Sequence, residues 1–433
     1  MVFNNLNYMV SLLLFLLWVR ITCPAWRKPH ELHLGSKSAY RNVANHNSSE
    51  IKYDSCRAVK LWALIRHGTR HPGFPLIQKI RTRLVAIRDL VLELVRNETI
   101  EIKNVESLES WTPEFSEGEG KKLTSEGEDE MFFLGQRLRT RFPKLLRPVY
   151  SSSMYHFKHT RSERTEKSAE AFVNGIFGRG ADKYVEFPDT PEFDPILRFY
   201  KLCDRWMKNV KKHPDAQIEY AKFRSGNETA ETVKAVNERL GLGSYLSVND
   251  VHLMYMTCAF ETANNKKTIS PWCSVFTVND LMVMEYAEDL KHYWIDGYGY
   301  ELSYKQACKA RDDLIEFFTS KETFPQAKIY FTHSGTLLKM LAHLGLYNQS
   351  RHLLADDFSR NVDRTWRVSR IDPFGTNLIF VLFKCHDEQK ILTLHQEKAV
   401  RLPCCMSSDL CSLKQFLDYY SFKCLFKKIC RIP

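Results

Sequence analysis

An apolar run at residues 59–65 (Val-Lys-Leu-Trp-Ala-Leu-Ile) leads straight into Arg66-His67-Gly68-Thr69-Arg70-His71-Pro72. A short apolar run closed by Gly and Pro reads as a strand buried on both faces, and such a strand requires a sheet with helices on each side. The chain is therefore read as α/β. The heptad then falls at the carboxyl end of that strand, where open α/β sheets bind their ligands.

The residue types in the heptad suit phosphoryl chemistry. A phosphoryl group in transfer spreads negative charge over its equatorial oxygens, so planar multi-donor cations must surround it while a nucleophile lies in line. Arg66 and Arg70 provide the cations and His67 the nucleophile. Gly68 lets the backbone turn where a side chain would clash, and Pro72 restrains the exit of the loop. Neighbouring guanidinium groups disfavour imidazolium, which keeps a ring nitrogen of His67 free in mild acid. The bland alternative is a solvated basic turn with His67 merely packed. A second cluster argues against it: residues 327–332 form another apolar strand and deliver His333 to an apolar helix at 337–346. A single histidine in such a place reads as a satisfied core residue. Its matched position at a second strand end is what makes His333 a candidate.

With 433 residues, the chain has room for one large α/β unit and a smaller helical one. Its 62 Lys and Arg against 51 Asp and Glu give a net charge of +11, which favours polyanionic partners. No zinc-finger spacing, RNA-binding aromatic motif or basic heptad region occurs, so nucleic acid is not expected. Residues 9–19 suit the apolar core of a signal peptide, with cleavage near residues 23–25; a short uncleaved anchor is the alternative. Twelve cysteines fit an oxidising lumen, and the expectation is a secreted or ER-lumenal protein without a KDEL-type ending. Five of these cysteines crowd the end at Cys404, Cys405, Cys411, Cys424 and Cys430, and Cys258 and Cys273 are close enough to bridge a short loop. Loss of Cys23 with the signal leaves an odd number, hence one thiol free or paired between chains. Sequons at Asn47, Asn97, Asn227 and Asn348 predict glycosylated surface loops.

Along the chain, residues 1–25 read as the signal peptide and 26–57 as a polar lead-in without periodicity. Residues 58–190 and 321–415 read as the sheet core, 191–320 as an inserted α-helical cap, and 416–433 as a basic Cys-containing tail. Ser125 with Glu128 forms a capping-box pattern opening a helix to Phe142, a short strand is expected at 148–151, and a helix at 162–177 is closed by Gly178. Residues 376–383 and 391–395 look like an antiparallel pair. The tail at 423–431 has the charge for a weak membrane-surface contact or for plain solvation.

With both clusters in view, the sequence resembles the histidine acid phosphatases, and within them the inositol polyphosphate phosphatase branch. The resemblance rests on the heptad and on Ser162-Glu163-Arg164-Thr165-Glu166-Lys167-Ser168-Ala169. It extends to the stretch from Asp194 to Tyr200 with Cys203, to Trp272-Cys273-Ser274-Val275-Phe276, and to Glu285-Tyr286 with Asp289-Leu290 and Tyr293. It implies a phosphoglycerate-mutase-like sheet core with a helical cap, and hydrolysis of inositol polyphosphates, phytate among them, through a phosphohistidine on His67. It implies that Arg66, Arg70, Arg164 and His333 hold the transferred phosphate, and that neither metal nor cofactor takes part.

One departure matters. The family usually places an acid just after the second histidine, as His-Asp or His-Ala-Glu, to protonate the leaving alkoxide; here those positions are Ser334 and Gly335. Losing a positioned general acid costs roughly 10²–10⁴-fold in rate. The general acid is thus unknown from sequence: a neighbouring substrate phosphate, Glu163 and Glu166 are the candidates. The competing readings are a broader acid phosphatase acting on activated esters, a phosphate-binding pseudoenzyme, and a basic protein that merely binds glycans.

Overall fold

The computed structural model describes residues 29–97, 105–405 and 407–431; the signal-like segment and its cleavage region lie outside them. Strand β1 (Cys56–Arg66) carries the apolar run, and Leu61 through Ile65 are all fully buried. Its two faces enter different cores. Trp62 and Leu64 pack with Tyr330, Leu338 and Phe380, whereas Leu61, Ala63 and Ile65 pack with Met131, Leu134 and Phe172. Each such side chain contributes about 1.5–3 kcal/mol on burial, so a one-residue slip, which would exchange the faces, is strongly opposed. Lys60, the charge inside the run, is accommodated by donating to the Phe317 and Ser320 carbonyls.

Helix α1 (Ser125–Arg141) begins one residue earlier than the sequence pattern suggests: Thr124 is the extended N-cap, accepting from Gly127 N, and Ser125 is already helical. It ends at Phe142, immediately before Pro143, as expected. Strand β2 is Tyr155–His159, and no strand forms at 148–151. Helix α2 (Glu163–Phe177) follows Ser162 in extended conformation and stops at Gly178, whose φ of 104° suits glycine. Helices α3 (Val248–Asn264) and α4 (Val278–Asp296) both open with capping boxes, Ser247 with Asp250 and Thr277 with Asp280. Strand β3 (Ala327–Thr332) leads through His333 into helix α5 (Ser334–His343). Strands β4 (Asn377–Cys385), β5 (Glu388–His395), β6 (Lys398–Ala399) and β7 (Leu410–Ser412) complete the sheet.

The order is β2-β3-β1-β4-β5-β6, with β7 also on β5. β1 and β2 each run parallel to β3, and β4 runs antiparallel to β1. In the β1/β3 register Arg66 faces Thr332, which sets His67 beside His333.

Residues 29–44 are not a free polar lead-in. They wind through short 3-10 turns that bury Leu34, Ala39 and Tyr40, so the segment is part of the core. Its apolar residues are too widely spaced for a periodic pattern. The tail is equally anchored: Phe416, Tyr420 and Phe426 are buried, and Cys424 and Cys430 are bonded to Cys308 and Cys203. Cys56–Cys385, Cys258–Cys273 and Cys405–Cys411 are also bonded, and Cys404 is the free thiol among the described residues. No described helix is long and apolar enough to cross a membrane.

Candidate active site

His67 emerges from β1 buried, only 4% exposed. Its Nδ1 lies 2.9 Å from the Gly68 carbonyl. A carbonyl only accepts, so Nδ1 carries the proton and Nε2 keeps its lone pair. Burial, then Arg164, Arg66, His333 and Arg70, push the imidazole well below its ordinary value. The neutral ring is therefore the favoured form.

The loop after His67 has little freedom. A Cβ on Gly68 would come within 2.4 Å of the Gly127 carbonyl oxygen, and Gly68 N donates to Ser168 Oγ at 3.1 Å. Buried Glu130 accepts from Thr69 N at 2.7 Å and Tyr40 N at 2.9 Å; burial and Glu126 push its carboxyl up to about 7.

Arg66, Arg70, Arg164 and His333 are brought together around this imidazole. Arg66 Nη1 donates to Ser36 O at 2.9 Å and to Asp372 O, and its guanidinium stacks 4.7 Å above the Phe374 ring. Arg70 donates to His71 O; burial and the guanidiniums of Arg164 and Arg66 lower it to about 9. Arg164, in the first turn of α2, donates from Nη2 to His333 Nδ1 at 3.3 Å. Arginine only donates, so His333 Nδ1 accepts and Nε2 carries the proton, given to Thr160 Oγ1 at 2.8 Å. Burial and the four arginines Arg164, Arg198, Arg66 and Arg70 keep His333 well below its usual value. The two imidazole centroids are 5.6 Å apart.

Arg198, immediately before the 3-10 turn Phe199–Leu202, was not named as a site residue from sequence, yet its charge acts on both His333 and Arg164. Among the described residues, the Nε atoms of Arg66, Arg164 and Arg198 are buried without a hydrogen-bond partner. An orphaned buried donor costs roughly 1–3 kcal/mol. Three of them beside two neutral histidines make a site built for an anion with several acceptor oxygens.

At the position of the missing acid, a Cβ on Gly335 would lie 3.3 Å from Asp296 Oδ1. Asp296 is paired with buried Lys339 and with His292 at 3.0 Å. Burial would raise its carboxyl, but Lys339 and His292 outweigh that and hold it far below the carboxylate range. Ser334 instead donates to Asp372, which is fully buried, lies 3.5 Å from Arg66 Nη1 and has an Oδ1 without a partner among the described residues. Burial raises the Asp372 carboxyl against the pull of Arg66. Glu163 accepts from Leu123 N at 3.1 Å and Glu166 is exposed. Asp372 and Thr160 carry no local motif, and only their placement at other strand and loop ends brings them here; Arg198 lies within the Asp194–Tyr200 stretch that carries the resemblance.

The sequon residues Asn47, Asn97, Asn227 and Asn348 are all exposed. Asn227 does not sit in a loop: it opens the helix Asn227–Arg239, and Thr229 of its sequon is buried, donating to Phe223 O at 2.8 Å.

Residues 59–402 match the model of the histidine phosphatase superfamily (branch 2). The multiple inositol polyphosphate phosphatase 1 of Drosophila melanogaster is 32% identical over 89% of this chain and 84% of its own. The protein of the same name from Homo sapiens is 28% identical over 82% and 78%. Among solved structures, the phytase from D. castellii superposes with a TM-score of 0.74 at 17% identity, over 93% of this chain and 88% of that one. The Bifidobacterium longum multiple inositol polyphosphate phosphatase, in complex with inositol hexasulfate, gives 0.67 at 14% identity over 92% and 100%. A match across most of the chain, joined to a strand-end histidine ringed by guanidiniums, places this protein in branch 2 of the histidine phosphatase superfamily.

Proposed function

We infer that the protein hydrolyses phosphomonoesters of inositol polyphosphates through a phosphohistidine on His67. The observation that carries this reading is the pairing of a free Nε2 on His67 with orphaned guanidinium donors on Arg66, Arg164 and Arg198. Nε2 attacks phosphorus and the P–O ester bond breaks. Arg66, Arg70 and Arg164 take the charge on the equatorial oxygens, with His333 donating once the phosphate draws it from Thr160. Water then attacks the phosphohistidine, releasing inorganic phosphate and the free imidazole.

The relatives' names and the net charge of +11 support a small polyanionic substrate over a macromolecule. Five disulfides among the described residues support an oxidising, secretory-route compartment. Residues 191–320, read as a cap, supply Arg198 and Asp296 to the cleft, and so are the segment on which regiochemistry depends.

The test is phosphate release from inositol hexakisphosphate and p-nitrophenyl phosphate between pH 4 and 7, with acid-quenched labelling of the protein. Wild type is expected to turn over both and form a labelled intermediate that His67→Ala lacks. Gly335 favours a second reading, an enzyme restricted to activated esters, which predicts turnover of the nitrophenyl ester alone.

A further inference from the structure

The reaction needs a proton for the departing inositol oxygen, and the residue expected to hold it is absent at Gly335. Among the carboxyl groups near that position, Asp296 is committed as an anion to Lys339 and His292. Glu163 is engaged with the backbone of Leu123. Asp372 differs from both. It is fully buried, one oxygen has no partner among the described residues, and the other accepts from the hydroxyl of Ser334, the residue directly after His333.

We propose that Asp372, acting through the Ser334 hydroxyl, supplies the proton to the departing ester oxygen. This rests on the phosphatase reading above. Ser334 is partly exposed and follows a histidine that lines the phosphate site, whereas Asp372 lies behind it and is shut off from solvent. With Asp372 protonated, the Ser334–Asp372 hydrogen bond turns round and the carboxyl donates to Ser334 Oγ; as the P–O bond breaks, the ester oxygen takes the Ser334 proton and Ser334 takes the Asp372 carboxyl proton. Asp372 becomes a carboxylate 3.5 Å from Arg66. In the second half-reaction the attacking water loses a proton to Ser334, Ser334 passes one to Asp372, and the starting state returns with one ester and one water consumed.

The charges around Asp372 suit both halves. Burial disfavours its anion; Arg66, the Ser334 hydrogen bond and His292 favour it; Asp296 disfavours it again. The balance raises the carboxyl and so favours its protonated form, while Arg66 stands ready to stabilise the anion once the proton has left. The same Arg66 contact offers the rival explanation, that Asp372 merely orients the guanidinium.

Leaving-group dependence separates the two. A proton donor matters for a poor leaving group such as an inositol or glycerol alkoxide, and hardly at all for p-nitrophenolate. A prop for Arg66 matters equally for every ester. Asp372→Asn is expected to lower kcat on inositol hexakisphosphate and glycerol phosphate by about 10²–10³-fold, with a loss of only a few-fold on p-nitrophenyl phosphate. Ser334→Ala, which keeps the Asp372–Arg66 pair, is expected to shift the alkyl-to-aryl ratio the same way and serves if Asp372→Asn fails to fold. Equal losses on all three esters, or an unchanged ratio in Ser334→Ala, overturn the proposal. Retention of inositol hexakisphosphate turnover in Asp372→Asn overturns it too, and points to a substrate phosphate as donor. A wild type that cleaves glycerol phosphate but not inositol hexakisphosphate sinks the substrate reading alone, since the proton route is still read on the alkyl ester. A wild type inert to every ester sinks both.

Discussion

At the scale of single residues, Gly68 shows how little tolerance the loop after His67 has. Its missing side chain allows the Gly127 carbonyl to sit where a Cβ would be 2.4 Å away, and the obstacle is backbone, which cannot swing aside. Gly68→Ala is expected to destabilise the fold by about 1–3 kcal/mol. Displacing His67 by a fraction of an ångström to an ångström is expected to cut kcat by about 10²-fold; urea unfolding and p-nitrophenyl phosphate turnover measure the two effects. The heptad was readable in the sequence because its five telling residues fall within seven positions, His333 because it follows an apolar strand and opens a helix, and Arg164 only through the resemblance. Asp372 was not readable. Its relation to Ser334 and Arg66 comes from the turn before β4 packing over the end of β1, a contact between residues far apart in the chain.

At the scale of elements, helix α3 holds a carboxyl that works against it. Glu261 is 3% exposed, accepts from Trp111 Nε1 at 2.9 Å and from Ser270 Oγ, and burial pushes it up to about 7. A carboxyl raised in the folded state adds stability below its unfolded value of about 4.3 and loses it as pH rises through about 7. Glu261→Gln, which keeps a polar partner for Ser270, abolishes that loss. Its melting temperature relative to wild type is expected to rise from pH 5 to pH 8, by the equivalent of at most about 3 kcal/mol; a constant difference across that range contradicts this. Helices such as α2 were readable because Gly178 and Pro143 punctuate them or their neighbours. Strand β2 was misplaced because Tyr-His-Phe-Lys-His alternates aromatic with basic residues, and its burial comes from β3 alongside rather than from an apolar run.

At the scale of the whole molecule, the carboxyl-terminal end of the described chain is fastened to its middle. Cys430 is bonded to Cys203, close after Arg198, and Cys424 to Cys308. The double variant Cys203→Ser/Cys430→Ser is expected to lose about 2–4 kcal/mol, read by urea unfolding, and to expose the tail to trypsin at Lys423, Lys427 and Lys428, which lie on the surface. The tail's basic composition was visible in the sequence, but its attachment was not, because cysteine spacing does not determine pairing.

The Cys203–Cys430 bond also bears on biosynthesis. The heptad is translated well before residue 430, and the wall carrying Arg198 acquires its covalent tie only once residue 430 is present and oxidised. A growing chain that has passed the heptad but not residue 430 therefore carries the proposed nucleophile beside a wall that still lacks this covalent tie.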